Sequence, residues 1–311
     1  MGYLNEFRTQ IANRDFQKFI QLWEEYCTCD SAEYEELLSL LNMIKNSDFS
    51  KPFGEFTEKI LPQWEMLTSK EESYAILKLI LELQSTNSQK LAEIAQKALE
   101  DRYGKEELFT DKLRLVGLRS KGNFQGALTN FDLLIHGKKG NFVFHASGWG
   151  TGEIMEVSPV RELYSIEFEN VSGMKQVSFT NAFKSLQPLP SDHFLARRFA
   201  NPDKLEKEAK ENPVEVVKCL LRDLGPKTGS EIKDELCELV IPEAEWQKWW
   251  QNTRSKLKKD TEIESPQSTK EAFSLRKAAV SHESQFLSTL EKLKKDREIL
   301  NHCYSFIRDH V

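Results

Sequence analysis

At 311 residues, with 43 Lys plus Arg against 49 Asp plus Glu and a formal net charge of -6, the chain has room for two or three domains and no overall basic character. That balance excludes wholesale affinity for nucleic acid. Its five cysteines, Cys27, Cys29, Cys219, Cys237 and Cys303, are odd in number and scattered, and no apolar run approaches the length needed to cross a bilayer, which excludes a disulfide framework and a membrane partner and points to a reducing, cytoplasmic setting.

Residues 1–138 read as a helical array. Phe16, Phe19, Ile20, Trp23 and Cys27 recur at one-face helical spacing, and Tyr34, Leu37, Leu38, Leu41 and Ile44 repeat the pattern. Further stripes follow at Phe53, Phe56, Ile60 and Trp64, at Tyr74, Leu77 and Leu81, at Leu91, Ile94 and Ala98, and at Phe124, Ala127, Leu128, Phe131 and Leu134. The breakers between them are short, so the helices pack as antiparallel neighbours, either as a TPR- or HEAT-like solenoid of helix pairs or as an irregular bundle. Such an array presents a groove suited to a protein partner. Most of the acidic excess lies here, with 18 basic and 22 acidic residues between Met1 and Gly140.

Residues 141–190 change period. Ile154 alternates with Glu153, Tyr164, Ile166 and Phe168 with Ser165 and Glu167, and Val177 and Phe179 with Gln176 and Ser178, the period of half-buried strands. Gly148, Gly150 and Gly152 suit a tight opening turn, Pro159 breaks the next connection, and Asn170 to Gly173 can form the third turn. Four or five strands in so few residues are expected to close into a small Tudor- or SH3-like barrel. The structural counter-reading is that Trp149, Phe168 and Phe179 are core and the glycines merely turns.

Residues 191–260 read as a winged-helix-like module. Val214, Val217, Leu221 and Leu224 form one stripe ended by Gly225-Pro226, and Thr228-Gly-Ser-Glu231 is a capping box opening a helix with Ile232, Leu236 and Leu239. After Pro242, Trp246, Trp249, Trp250, Thr253 and Leu257 share a buried face, opposite Lys248, Gln251, Asn252, Arg254, Lys258 and Lys259. A basic last helix in this outline can enter a major groove, which makes Lys248, Arg254, Lys258 and Lys259 the candidate nucleic-acid contacts and DNA a possible partner. A solvated helix face explains the same charges. Residues 261–280, with Ser265, Pro266, Ser268 and Thr269, read as a linker, and 281–311, with Phe286, Leu290, Leu293 and Leu300, as a helix opening a further, truncated domain that ends at Val311.

No catalytic constellation emerges, so the chain is not expected to be an enzyme, to take a small-molecule substrate, or to hold a cofactor or metal. Cys27-Thr-Cys29 lacks a second ligand pair, and the six histidines stand apart from plausible nucleophiles. The glycine run at 148–152 lacks dinucleotide-binding spacing and leads into a strand rather than a helix.

Two resemblances add to this reading. Val143-Phe-His145, the glycines at 148, 150 and 152, Glu153-Ile154, Ile166-Glu-Phe168 and Leu186-x-Pro188-Leu189 make the barrel segment similar to the Tudor-like domain of UvrD-type helicases and, more loosely, to the polymerase-interacting domain of CarD-type factors. The resemblance implies docking on bacterial RNA polymerase, on a large subunit, through a barrel edge strand. The candidate docking residues are Trp149, Glu153, Tyr164, Ile166, Phe168 and Lys175.

From Gly148-Trp-Gly-Thr-Gly152 through Phe183-Lys-Ser-Leu-Gln-Pro-Leu189, Leu220-Leu-Arg-Asp-Leu-Gly225 and Ile241-Pro-Glu-Ala-Glu-Trp246, the chain resembles the long amino-terminal extension of some GreA-type transcription elongation factors. Over the first 140 residues only the helical character agrees. That family stimulates cleavage of backtracked transcripts with acidic residues at a coiled-coil tip, and the Asp-x-x-Glu-Asn-Ala-Glu-Tyr tip motif does not occur here. Without those oxygen ligands for a second magnesium the chain is expected to be a docking or adaptor part. The alternatives are a DNA-repair or helicase accessory that works through the winged helix, and a protein scaffold that works through the helical array.

Overall fold

A computed structural model describes residues 2–29, 31, 33–119, 122–266, 268, 270–276 and scattered positions between 286 and 304. The chain divides into two compact units, 1–137 and 138–311. The described part is mostly helical, and none of its helices is long and apolar enough to cross a membrane.

The first unit holds α1 (Gly2–Ala12), α2 (Phe16–Tyr26), α3 (Tyr34–Lys45), α4 (Ser50–Phe53), a 3-10 turn (Gly54–Ile60), α5 (Leu61–Glu65), α6 (Lys70–Leu83), α7 (Gln89–Tyr103), α8 (Phe109–Leu115) and α9 (Ala127–His136). Helices α1, α3, α6 and α9 pack each against the next, with α2, the α4–α5 segment and α7 alternating between them, so consecutive pairs stack along the chain. The apolar stripes become core: Phe7, Phe19, Trp23, Leu37, Leu41, Phe53, Ile60 and Phe131 are fully buried. Trp23 meets Phe53 edge to face at 4.7 Å, and its indole N–H donates to the Phe56 carbonyl at 3.0 Å, so the largest ring here is both packed and satisfied. Side-chain caps at Asp15, Ser69 and Ser88 begin α2, α6 and α7. Helix α9 starts later than its stripe implied, because Gly126 takes a left-handed φ of 69° and turns the chain at that point.

The second unit opens with β1 (Phe142–His145), β2 (Gly150–Ser158), β3 (Leu163–Phe168), β4 (Val171–Ser178), α10 (Phe179–Ser185) and β5 (Leu186–Leu189). The strands form one antiparallel sheet in the order β4-β3-β2-β1-β5. The expected barrel does not close: β5 pairs with β1, no ladder joins it to β4, and α10 fills the connection between these two outer strands. Phe179, assigned above to a strand, instead heads α10, where the Ser178 hydroxyl accepts from the Asn181 amide. The glycines also divide their work. Gly150 needs its left-handed φ of 75°, whereas a Cβ on Gly152 would stand 2.5 Å from the Phe168 ring, so this glycine lets β3 side chains lie flat across β2.

Behind the sheet come α11 (Phe194–Ala200), α12 (Pro202–Glu211), α13 (Pro213–Leu224), α14 (Gly229–Leu236) and α15 (Glu243–Leu257), two helices more than the apolar stripes revealed. The capping box forms, with the Glu231 carboxylate accepting from the Thr228 amide at 2.7 Å. The segment expected as a linker carries β6 (Ile263–Glu264) and β7 (Ser274–Leu275), a short antiparallel hairpin. Ile263 and Phe273 enter the helical core, and Lys227 and Phe273 exchange backbone hydrogen bonds at 3.0 and 2.8 Å. Two-residue strands carry no readable alternation, which is why composition alone reads as linker. The closing helix expected over 281–311 falls largely outside the described residues.

The sheet and this module share a core, with Leu189 inside it and Phe142 and Phe144 against it. Strand β1 therefore turns Phe142 and Phe144 to the helices and Val143 and His145 to the sheet's own interior. Arg198 of α11 ties the two parts, reaching Glu169 in the β3–β4 turn at 3.2 Å and Glu235 of α14 at 2.5 Å.

Candidate docking edge and helix-turn-helix face

The sheet has two outer strands, and they are unequal. β5 has four residues and includes Pro188, which has no N–H to offer. β4 is eight residues long and pairs only with β3. Its run from Ser172 to Met174 and its Gln176 are exposed, Met174 by 60% of its surface. Between Ile166 and Phe168 the β3–β4 register shifts, and Gly173, at φ 74°, lies within the extra length that β4 spends there. That irregularity swings Met174 outward from a strand whose far end, at Val177, is buried.

The six docking candidates fall into two groups against this edge. Tyr164, Ile166 and Phe168 are buried in the sheet interior, exposed by 4% or less, and burial pushes the Tyr164 phenol well above its ordinary range. They can position a docking surface without forming it. Trp149 is half-buried: its indole stacks on His145 at 4.3 Å and meets Phe168 edge to face at 5.2 Å, closing the end of the interior where β1 turns into β2. Glu153 on β2 and Lys175 on β4 are half-buried as well. Lys175 sits opposite Ile166, on the outer strand itself. The structure thus brings Lys175 to the free edge, puts Trp149 at one end of the sheet, and leaves Glu153 on an interior strand. Sequence reasoning passed over Met174, because Asn170 to Gly173 reads as a turn and hides the beginning of β4.

Of the nucleic-acid candidates, Lys248 and Arg254 lie on α15, whereas Lys258 is its C-cap and Lys259 lies in the turn that follows. Trp246 is buried, and Trp249 and Trp250 are half-buried. The Trp249 N–H donates to the Ala209 carbonyl at 2.7 Å, which fixes the rotation of the helix. Lys248, Lys258 and Lys259 are exposed. Arg254 is half-buried instead, lining with Trp250, Gly229 and Phe273 a cleft of 240 Å³ between the helix and the hairpin segment. The end of α15 is not uniformly basic. Lys218 of α13 reaches Glu262 at 2.5 Å and Asp260 at 2.9 Å; burial alone would lower its pKa, and these carboxylates with Glu215 raise it instead. Among the described residues no group of three or more His, Cys, Asp or Glu side chains could hold a metal ion.

This second region is where the chain meets a known family. Residues 195–280 match the GRAD helix-turn-helix domain. The match runs from α11 through the β6–β7 hairpin, the stretch whose core the hairpin helps to close. Over 309 residues, 99% of its length, the chain is 46% identical to the transcription elongation factor GreA of Chlamydia pneumoniae and 42% identical to that of Chlamydia trachomatis serovar D. It spans 43% of the length of each of these curated relatives. No solved structure matches it.

Proposed function

We propose that the chain is the docking and adaptor region of a GreA-type transcription elongation factor, holding RNA polymerase through the β4 edge of its sheet. The observation that carries this reading is the 46% identity, sustained over 309 residues, to a protein named as such a factor. The eight-residue β4, paired on one side only, supports the route, since an exposed edge offers its main-chain groups to a strand of a partner. The sequence has no acidic tip motif, so transcript cleavage is assigned to other parts of the factor and the chain itself is non-catalytic. Co-sedimentation of the full chain with RNA polymerase tests the reading. Saturable binding that Met174→Glu weakens, with unchanged circular dichroism, is the expected result; no binding, or binding indifferent to changes along β4, overturns it.

The helix-turn-helix match supports a second reading, in which α15 touches nucleic acid near the polymerase. Lys248 on α15 and Lys258 at its C-cap are exposed, with no carboxylate partner among the described residues. If both meet phosphates, replacing them with glutamate lowers duplex affinity and reduces the slope of log affinity against log salt by about two. An unchanged slope in fluorescence anisotropy removes the reading.

A further inference from the structure

Helices α6 and α7 of the first unit enclose a groove of 490 Å³ that neither functional reading uses. Its apolar surface comes from Trp64, Tyr74, Ile94 and Ala98, with the fully buried Leu77 behind them. Ala98 is small where its helix faces Leu77 and Tyr74, and the missing side-chain volume leaves the groove open. Both ends are fixed by bonds already made. The Trp64 N–H donates to the Ser73 carbonyl at 2.8 Å, so the indole offers only apolar ring. At the other end Arg102 pairs with Glu71 at 2.8 Å and lies over the Tyr74 ring at 4.5 Å. Tyr74 is held in turn by Asp132, which accepts from its hydroxyl at 2.7 Å and from Lys78 at 2.8 Å.

The charges on the rim are less balanced. Glu71 and Arg102 neutralise each other, whereas Lys70 and Lys97 are exposed and have no carboxylate partner among the described residues, against a single carboxylate, Asp101. A net positive rim is out of character here, because acidic residues outnumber basic ones across the first 140 positions. A preformed apolar trough between two helices, flanked by unpaired ammonium groups, is complementary to an amphipathic segment with carboxylates beside its apolar face. We propose that this groove is a docking site for an acidic amphipathic peptide segment of a protein partner. One or two large apolar side chains of the segment sit against Trp64 and Ala98, and its carboxylates meet Lys70 and Lys97.

The test pans a phage-displayed library of random peptides on the full 311-residue chain, then measures fluorescence anisotropy with the enriched peptides synthesised and labelled. Enriched sequences should combine large apolar residues with an excess of Asp and Glu. Lys70→Glu with Lys97→Glu, both at exposed positions, should weaken them about tenfold, as two favourable ion pairs become repulsive. Ala98→Phe should abolish binding by filling the groove, with the helical circular dichroism signal retained. The proposal is overturned if the enriched peptides are basic or uncharged, if the charge-reversed variant binds them equally well, or if nothing is enriched. Concentration-dependent dimerisation of the chain that Ala98→Phe removes would also overturn it, assigning the groove to a second copy.

Discussion

Arg198 carries more than one contact for its size, because its side chain is only 11% exposed and its guanidinium is shared between Glu169 and Glu235. Replacing it with methionine leaves two partly buried carboxylates without a cation, a loss of the kind that costs about 3 kcal/mol. Urea unfolding of Arg198→Met should show that decrease, and adding Glu169→Gln and Glu235→Gln should restore part of it. Nearby, at the start of α11, the Asp223 carboxylate accepts from the Phe194 amide at 2.6 Å and from Arg222. Burial would raise its pKa, but Arg222 and the amide outweigh burial and hold it below the ordinary 3.8. His193, beside it, is lowered below the ordinary 6.5, chiefly by burial. Both shifts act in the same direction. The unfolded chain binds protons more readily than the fold does, so stability is full above 6.5, declines as the histidine of the unfolded chain protonates, and falls again below 3.8. Asp223→Asn should flatten the lower step and His193→Gln the upper one in unfolding midpoints measured from pH 8 down to about 3.

The hairpin after α15 shows how an element can be structural while its composition argues against it. Phe273 is 2% exposed and meets Trp250 edge to face at 5.7 Å, and its backbone closes the bridge to Lys227. Phe273→Ala should therefore cost about 3 to 4 kcal/mol, in the range of other buried phenylalanine truncations. A true linker residue would cost almost nothing, and chemical denaturation distinguishes the two. Elements of ten or more residues with a regular stripe were legible in the sequence: α2 from Phe19 and Trp23, α13 from Val217 and Leu221, α15 from its tryptophans. Strands β2 and β3 were legible from alternation. What stayed hidden was short or set by partners far away in the chain. Two-residue β6 and β7 have no period, α11 has only seven residues, α12 lies in a charged stretch, and the choice of β1 rather than β4 as the partner of β5 is made by α10 and by the helices that Phe142 and Phe144 pack on. The candidate site shared this limit: strand pattern located the sheet, but only register shows that β4 is its open edge and that Tyr164, Ile166 and Phe168 face inward.

At the scale of the whole molecule, the helical pairs of 1–137 and the sheet with its helices in 138–311 each bury a core of their own. Phe7, Phe19, Trp23 and Phe53 contact one another within the first unit, and Leu189, Phe194, Val217 and Trp246 belong to one cluster in the second. Units with separate cores unfold separately unless a large apolar interface couples them. The chain should then give two calorimetric transitions. Trp23→Ala, which empties a fully buried site, should lower one of them by an amount equivalent to about 3 to 5 kcal/mol and leave the other in place. Arg198→Met should do the reverse. A single transition that either variant moves as a whole would mean that the two cores are energetically one, and docking through β4 would then be felt in the α6–α7 groove; two independent transitions leave each unit free to engage its own partner.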